Sequence, residues 1–195
     1  MNTKTDVSVS TPSARERILR TAHDLFYADG LRATGIDRVI ADAGVTKVTF
    51  YRHFPSKNDL ILAYLTLRHE RWMGWFTEAL ARHGETSKGA HALIPVMKEW
   101  FGGKALGDFR GCAFLNGVTE MGPVMPAVVE TTRQHKQQMT EAIEALLPPS
   151  GRRKKTAEAL STAVDGAIVH AQYSGDPMPA LKALQLIVEK LTDTD

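Results

Sequence analysis

Residues 34 to 54, TGIDRVIADAGVTKVTFYRHF, hold two short helical patterns joined at a glycine. The first runs from about Ile36 to Asp42, with Ile36, Val39, Ile40 and Ala43 at helical spacing. Thr34 precedes it as an N-cap, and Asp37 sits where the helix dipole favours an acid. Gly44 ends it in the left-handed region without steric cost. Thr46 caps a second helix from about Lys47 to His53, and Pro55 stops that helix. A helix braced this way can put its first turn into the major groove of DNA. Lys47 and Thr49 can then donate to base edges or phosphates, and Val48 can meet a thymine methyl. Tyr51, Arg52, His53 and Lys57 suit phosphate oxygens. The same pattern also describes an ordinary helical hairpin with a solvated basic face.

Outward from this stretch, Ser13-Ala-Arg-Glu16 forms a capping box that opens a helix ending at Gly30, with Ile18, Ala22, Leu25 and Phe26 on its apolar face. Arg15, Arg17 and Arg20 each read as solvated charges, with contact of one of them to phosphate as the alternative. On the other side, Ser56 caps a helix with Asp59 in its first turn, and its N-terminus offers backbone N–H groups and Lys57 to an anion. The apolar pattern continues through Leu60, Tyr64, Leu67, Trp72, Trp75, Phe76 and Leu80. It predicts a short helix passing into a long one, with a kink near Leu62.

Beyond Gly84 the spacing predicts a helix from about Lys88 to Phe101 kinked at Pro95, and a short one over Cys112 to Glu120. Longer helices follow: one from Pro126, one over Arg152 to Tyr173, and one over Pro179 to Leu191. No strand alternation appears, so the expected fold is all-α. Residues 1–11 are expected to be a flexible arm, 12–58 a helix-turn-helix unit and 59–195 a second helical unit. The last two helices are amphipathic, and the first of them is rich in small residues. Leu160, Ala163, Val164, Ala167, Ile168, Leu184, Ile187 and Val188 either pack on the core or form half of a four-helix dimer interface.

Hydrophobic residues make up 43% of the 195 residues, enough for a packed core. Residues 1–60 carry 9 Lys/Arg and 7 Asp/Glu, a net +2, and residues 61–195 carry 15 of each, so the basic excess lies in the first segment. The single cysteine, Cys112, excludes an intramolecular disulfide and fits a reducing compartment. The first residues lack the apolar run of a secretory signal, and no run is long enough to span a bilayer, so a cytoplasmic location is expected. Enzyme motifs are missing: His69-Glu70 continues Arg71-Trp72-Met73, which is not a zinc-protease motif, and Gly102-Gly-Lys-Ala-Leu-Gly107 follows a helix rather than a strand. No catalytic centre, metal site or cofactor is expected.

The run from Gly30 to Leu60, with its Ala43-Gly44-Val45 turn, its Thr46-x-x-Thr49-Phe-Tyr-Arg-His-Phe54 helix and its Pro55-Ser-Lys-x-Asp-Leu60 start, resembles the TetR/AcrR family of bacterial transcriptional regulators. The resemblance covers about the first 65 residues. It implies an N-terminal three-helix DNA-binding domain and a C-terminal helical domain that binds a small molecule and dimerises. It implies a repressor acting as a homodimer on a pseudo-palindromic operator. Lys47, Val48 and Thr49 match the DNA-facing start of the family's recognition helix, and Tyr51, His53 and Lys57 match positions that meet the backbone. Gly35 departs from the pattern, because many members place Ser or Thr there against a phosphate; that contact is lost here or passes to Thr34. The residues expected to line an effector pocket are Trp72, Trp75, Phe76, Trp100, Phe101, Phe114, Asn116, Glu120, Met121, Met125 and His135. Cys112 is a buried inert thiol or, alternatively, a redox or electrophile sensor, and an activator is the alternative to a repressor.

Overall fold

The computed structural model describes residues 12–103 and 106–193. The expected arm at residues 1–11 lies outside them. All regular structure among the described residues is helical. The chain divides into two compact units between Tyr64 and Leu65, within α4.

In the first unit, α1 spans Ala14–Asp29, α2 Ile36–Asp42 and α3 Lys47–His53. The capping box of α1 is closed in both directions: Glu16 N–H donates to Ser13 Oγ at 3.2 Å, and Ser13 N–H donates to Glu16 Oε2 at 2.7 Å. Hydrogen bonds to the carboxylate from the Ser13 side chain and then from the Ser13 backbone N–H hold the Glu16 carboxyl below its ordinary pKa. Gly44 has φ +61°, the left-handed geometry that lets the chain turn from α2 into α3. Thr46 caps α3 through Thr49 N–H, a contact whose loss costs a helix about 1 kcal/mol. Phe54 is extended, as a residue before proline must be. Ile18, Ala22, Phe26, Val39, Phe50, Phe54, Leu60 and Ile61 form the core. Arg17 is not simply solvated: its guanidinium donates to the carbonyls of Pro12 and Ala43, tying the start of α1 to the turn. Arg15 lies over the Phe54 ring at 5.3 Å.

α4 is a single helix, Lys57–Gly84, rather than a short helix followed by a long one. Ser56 Oγ accepts from Asp59 N–H and donates to the Asp59 carboxylate, fixing its first turn. The second unit then adds a 3₁₀ turn at Gly89–Ala92, α5 (Leu93–Phe101), α6 (Ala113–Met121), α7 (Pro126–Ala145), α8 (Arg153–Ser174) and α9 (Met178–Thr192). The predicted helix from Lys88 is thus 3₁₀ at first. Pro95 falls in the first turn of α5, where no backbone N–H is needed, so it starts a helix instead of kinking one. α6 packs on α7, α7 on α8, and α8 on α9.

Candidate nucleic-acid interface and a buried cavity

The start of α3 stands out of the first unit. Phe50 and Phe54 are buried and anchor the helix from below. The residues between and before them face outward: Thr46, Lys47, Val48, Tyr51 and Arg52 are exposed, and Thr49, His53 and Lys57 half-buried. Val48 is 71% exposed, an isopropyl group left in water at the tip of the helix. The Thr46 and Thr49 hydroxyls are 2.9 Å apart, so both are committed to the cap while remaining at the surface. Lys47 Nζ lies 3.8 Å from Asp37, both highly exposed, a pairing too weak to hold the ammonium against a phosphate. Lys57 Nζ donates to the Arg32 carbonyl.

Thr34 does not belong with these residues. It is fully buried, and its hydroxyl donates to the Gly30 carbonyl at 2.8 Å, closing the end of α1. The N-cap of α2 is therefore Gly35, which makes no side-chain cap, and Thr34 cannot inherit a phosphate contact. Gly35 has φ −79° and nothing within 4 Å of a Cβ placed on it, so the site accepts any small side chain.

The expected effector residues separate in the second unit. Trp72, Trp100, Phe114 and His135 meet around one cavity, joined by Arg68, Cys112, Lys136 and Ile168, which spacing did not single out for it. The cavity leaves about 10 Å3 to the centre of a water-sized sphere, room for about one water. His135 stacks on Phe114 at 3.7 Å, and its Nδ1 shares a hydrogen bond with His69 Nδ1 at 3.0 Å. Burial, aided by the charges of Lys136, His69 and Arg68, pushes the His135 pKa down to about 2, so its ring is neutral. Lys136 forms a part-buried ion pair with Asp165 of α8. Trp72 Nε1 is buried and finds no acceptor.

The other expected residues lie elsewhere. Phe76 is core, stacked on Trp72, and Phe101 lines a separate shallow groove. Trp75 donates to Glu99, whose carboxyl is held below its ordinary pKa first by a hydrogen bond to His83. Asn116 holds the Arg110 carbonyl and accepts from Gln172. Met125 is buried, and Glu120 and Met121 are half-buried, all away from the cavity wall. Cys112 is 4% exposed. Its cavity neighbours include two cations, which sequence spacing did not reveal because they come from α4 and α7.

On the last two helices most of the residues expected at a dimer face are turned inward. Leu160, Val164, Ala167, Ile168, Leu184 and Val188 are buried within the chain itself, and Ala163 is half-buried. The buried small residues Ala157, Ala167 and Ala171 serve close packing of α8 within the chain. Of the expected set, Ile187 alone is exposed, and it is joined at the surface by Leu186 on α9 and by Val169 and Tyr173 on α8.

The first unit is a helix-turn-helix head with a basic, polar and protruding second helix. The chain belongs to the TetR family of bacterial transcriptional regulators. The description "Bacterial regulatory proteins, tetR family" matches residues 18–64. SCO4454, a TetR-family transcriptional regulator from Streptomyces coelicolor, is 33% identical with a TM-score of 0.72, over 91% of this chain and 93% of that one. A TetR transcriptional regulator from Chloroflexus aurantiacus is 25% identical with a TM-score of 0.75, over 92% and 95%. The transcriptional regulator UidR of Escherichia coli is 30% identical over 99 residues, and that match spans about half of each protein, 47%. Regulators of this family are not enzymes. No helix among the described residues is long and apolar enough to cross a membrane.

Proposed function

We propose that the protein is an effector-responsive repressor that binds a pseudo-palindromic operator as a homodimer. The observation that carries the reading is the exposed first turn of α3, with Lys47, Val48 and Thr49 standing over a rigid aromatic anchor. Two copies place two such helices in successive major grooves, about 34 Å apart. Lys47 and Thr49 meet bases or phosphates, Val48 a thymine methyl, and Tyr51, Arg52, His53 and Lys57 the backbone. The solvent-facing apolar residues Val169, Tyr173, Leu186 and Ile187 support a second copy as the partner. The cavity of the second unit supports a small-molecule effector. An effector that binds better to a form with wrongly spaced reading helices lowers operator affinity, and the operator lowers effector affinity by the same factor.

The buried position of Cys112 supports a packed thiol over a sensor. The test is a mobility shift on the DNA flanking the gene, with light scattering of the complex. The expected result is two chains on an inverted repeat. A Leu186→Arg chain should be monomeric at micromolar concentration and lose the shift. A monomer that holds the full operator with undiminished affinity would overturn the dimer reading.

A further inference from the structure

We propose that the cavity bounded by Arg68, Trp72 and His135 binds a small, flat organic anion, a monocyclic aromatic carboxylate, as the effector; this rests on the reading of the protein as effector-responsive. The wall supplies donors and positive charge. Arg68, 2% exposed, and Lys136 both line it, and no Asp or Glu does. Trp72 is 4% exposed and directs a buried N–H that has no acceptor, so an occupant with an oxygen there gains a hydrogen bond the protein does not make for itself. A buried imidazole at His135 already refuses a proton, through burial and then through the neighbouring cations Lys136 and Arg68. Those two cations also oppose a cationic occupant, whereas a carboxylate can pair with them in exchange for a present partner such as Asp165.

The rest of the wall is flat and apolar. Phe114 and His135 are stacked within 10° of parallel, and Trp72 and Trp100 meet edge to face at 5.5 Å. Such surfaces take an aromatic body. A purely apolar molecule leaves the Trp72 N–H unpaired. Lys136 gives the anion a route to the rest of the unit, because its present partner is Asp165 on α8. A carboxylate that takes over the ammonium loosens the tie between α7 and α8. A ring is larger than the cavity, so binding must shift wall residues. Cys112 and Ala113 begin α6 directly after Gly111, whose φ is +79°.

Of the three tryptophans, Trp72 and Trp100 line the cavity and Trp75 packs against both, so tryptophan fluorescence reports on the cavity and its immediate surroundings. The experiment titrates the full chain with benzoate, salicylate and phenylacetate, with the amide of each, and with benzylamine. At least one acid should saturate below about 1 mM and bind about tenfold or more tighter than its amide. In Arg68→Met that ratio should fall to near one, with Lys136→Met as the second variant if the first fails to fold. Amides that match their acids, benzylamine binding best, or no acid saturating below about 1 mM overturns the proposal, the last leaving a cavity for water only. The same acids are then added to the operator complex. An acid that binds in the cavity and leaves the mobility shift unchanged keeps this inference and removes the effector-response reading. Absence of any operator complex removes the DNA reading and leaves the fluorescence result standing.

Discussion

The two units put their chemistry in opposite places. In the head, the residues proposed to touch a partner are near neighbours in sequence and exposed or half-buried, all but Lys57 on a seven-residue helix whose underside is buried. In the second unit, the residues around the cavity come from α4, α5, α6, α7 and α8 and are mostly buried. A reading surface can be written in one short stretch of chain, because local caps and a turn are enough to aim it. An enclosed cavity has to be assembled from distant segments, so packing decides its contents. A change at the exposed reading surface of the head should therefore act on DNA alone, and a change at the cavity on stability and effector together.

The largest expected effect breaks the head and spares the rest. Phe50→Ala removes a fully buried ring and should cost about 3–5 kcal/mol, enough to unfold a small unit. Circular dichroism should show part of the helix lost, while tryptophan fluorescence, which comes only from the second unit, stays native. Loss of both signals together would mean the two units fold as one.

Acid should act on the second unit first. The His135 pKa is near 2 in the folded chain against about 6.5 unfolded, so the unfolded chain binds more protons between those values. Stability is full above about pH 6.5 and falls as the pH drops below it, by about 2 kcal/mol at pH 5. Urea unfolding followed by tryptophan fluorescence should show this loss, and His135→Gln should flatten it. An unchanged acid slope in the variant would assign the loss to other groups.

Lys47→Ala should weaken operator binding about tenfold and lower the salt slope by about one. Fluorescence anisotropy at several salt concentrations measures both, and the thermal midpoint should not move. The smallest effect is a gain. Gly35→Ser places a hydroxyl at an unfilled N-cap with free space around it, and should stabilise the head by about a few tenths of a kcal/mol. Operator affinity should rise as well if the hydroxyl also reaches a phosphate.

The head was legible because its signals are local. Ser13 with Glu16, Gly44, Thr46 and Ser56 with Asp59 each name a cap or turn within a few residues, and the structure places all of them so. Thr34 misled for a definite reason. A threonine before a helix and a threonine after one look alike in sequence, and here the hydroxyl turned back to Gly30. Pro95 misled similarly, because its effect depends on whether a helix has already begun. At the cavity, the aromatic candidates Trp72, Trp100, Phe114 and His135 were recognisable as large apolar or amphipathic residues. Arg68 and Lys136 were not, since a charged residue on a long helix reads as solvated until tertiary packing covers it. The inward and outward stripes of α8 could not be told apart by periodicity, because small residues occupy both.

On the proposed reading, the first turn of α3 also sets how much information one copy of the chain can extract. Three side chains, Lys47, Val48 and Thr49, distinguish at most about four base pairs. A given four-letter word recurs by chance about once in 256 positions, so one head alone would be lost among competing sites. Two heads at fixed separation square the odds to roughly one in 65,000, which in a bacterial chromosome of a few million base pairs still leaves tens of accidental matches. The remaining discrimination has to come from the spacing between half-sites and from how readily the uncontacted base pairs between them bend and twist. A shallow alphabet read twice makes the DNA between the words part of the message.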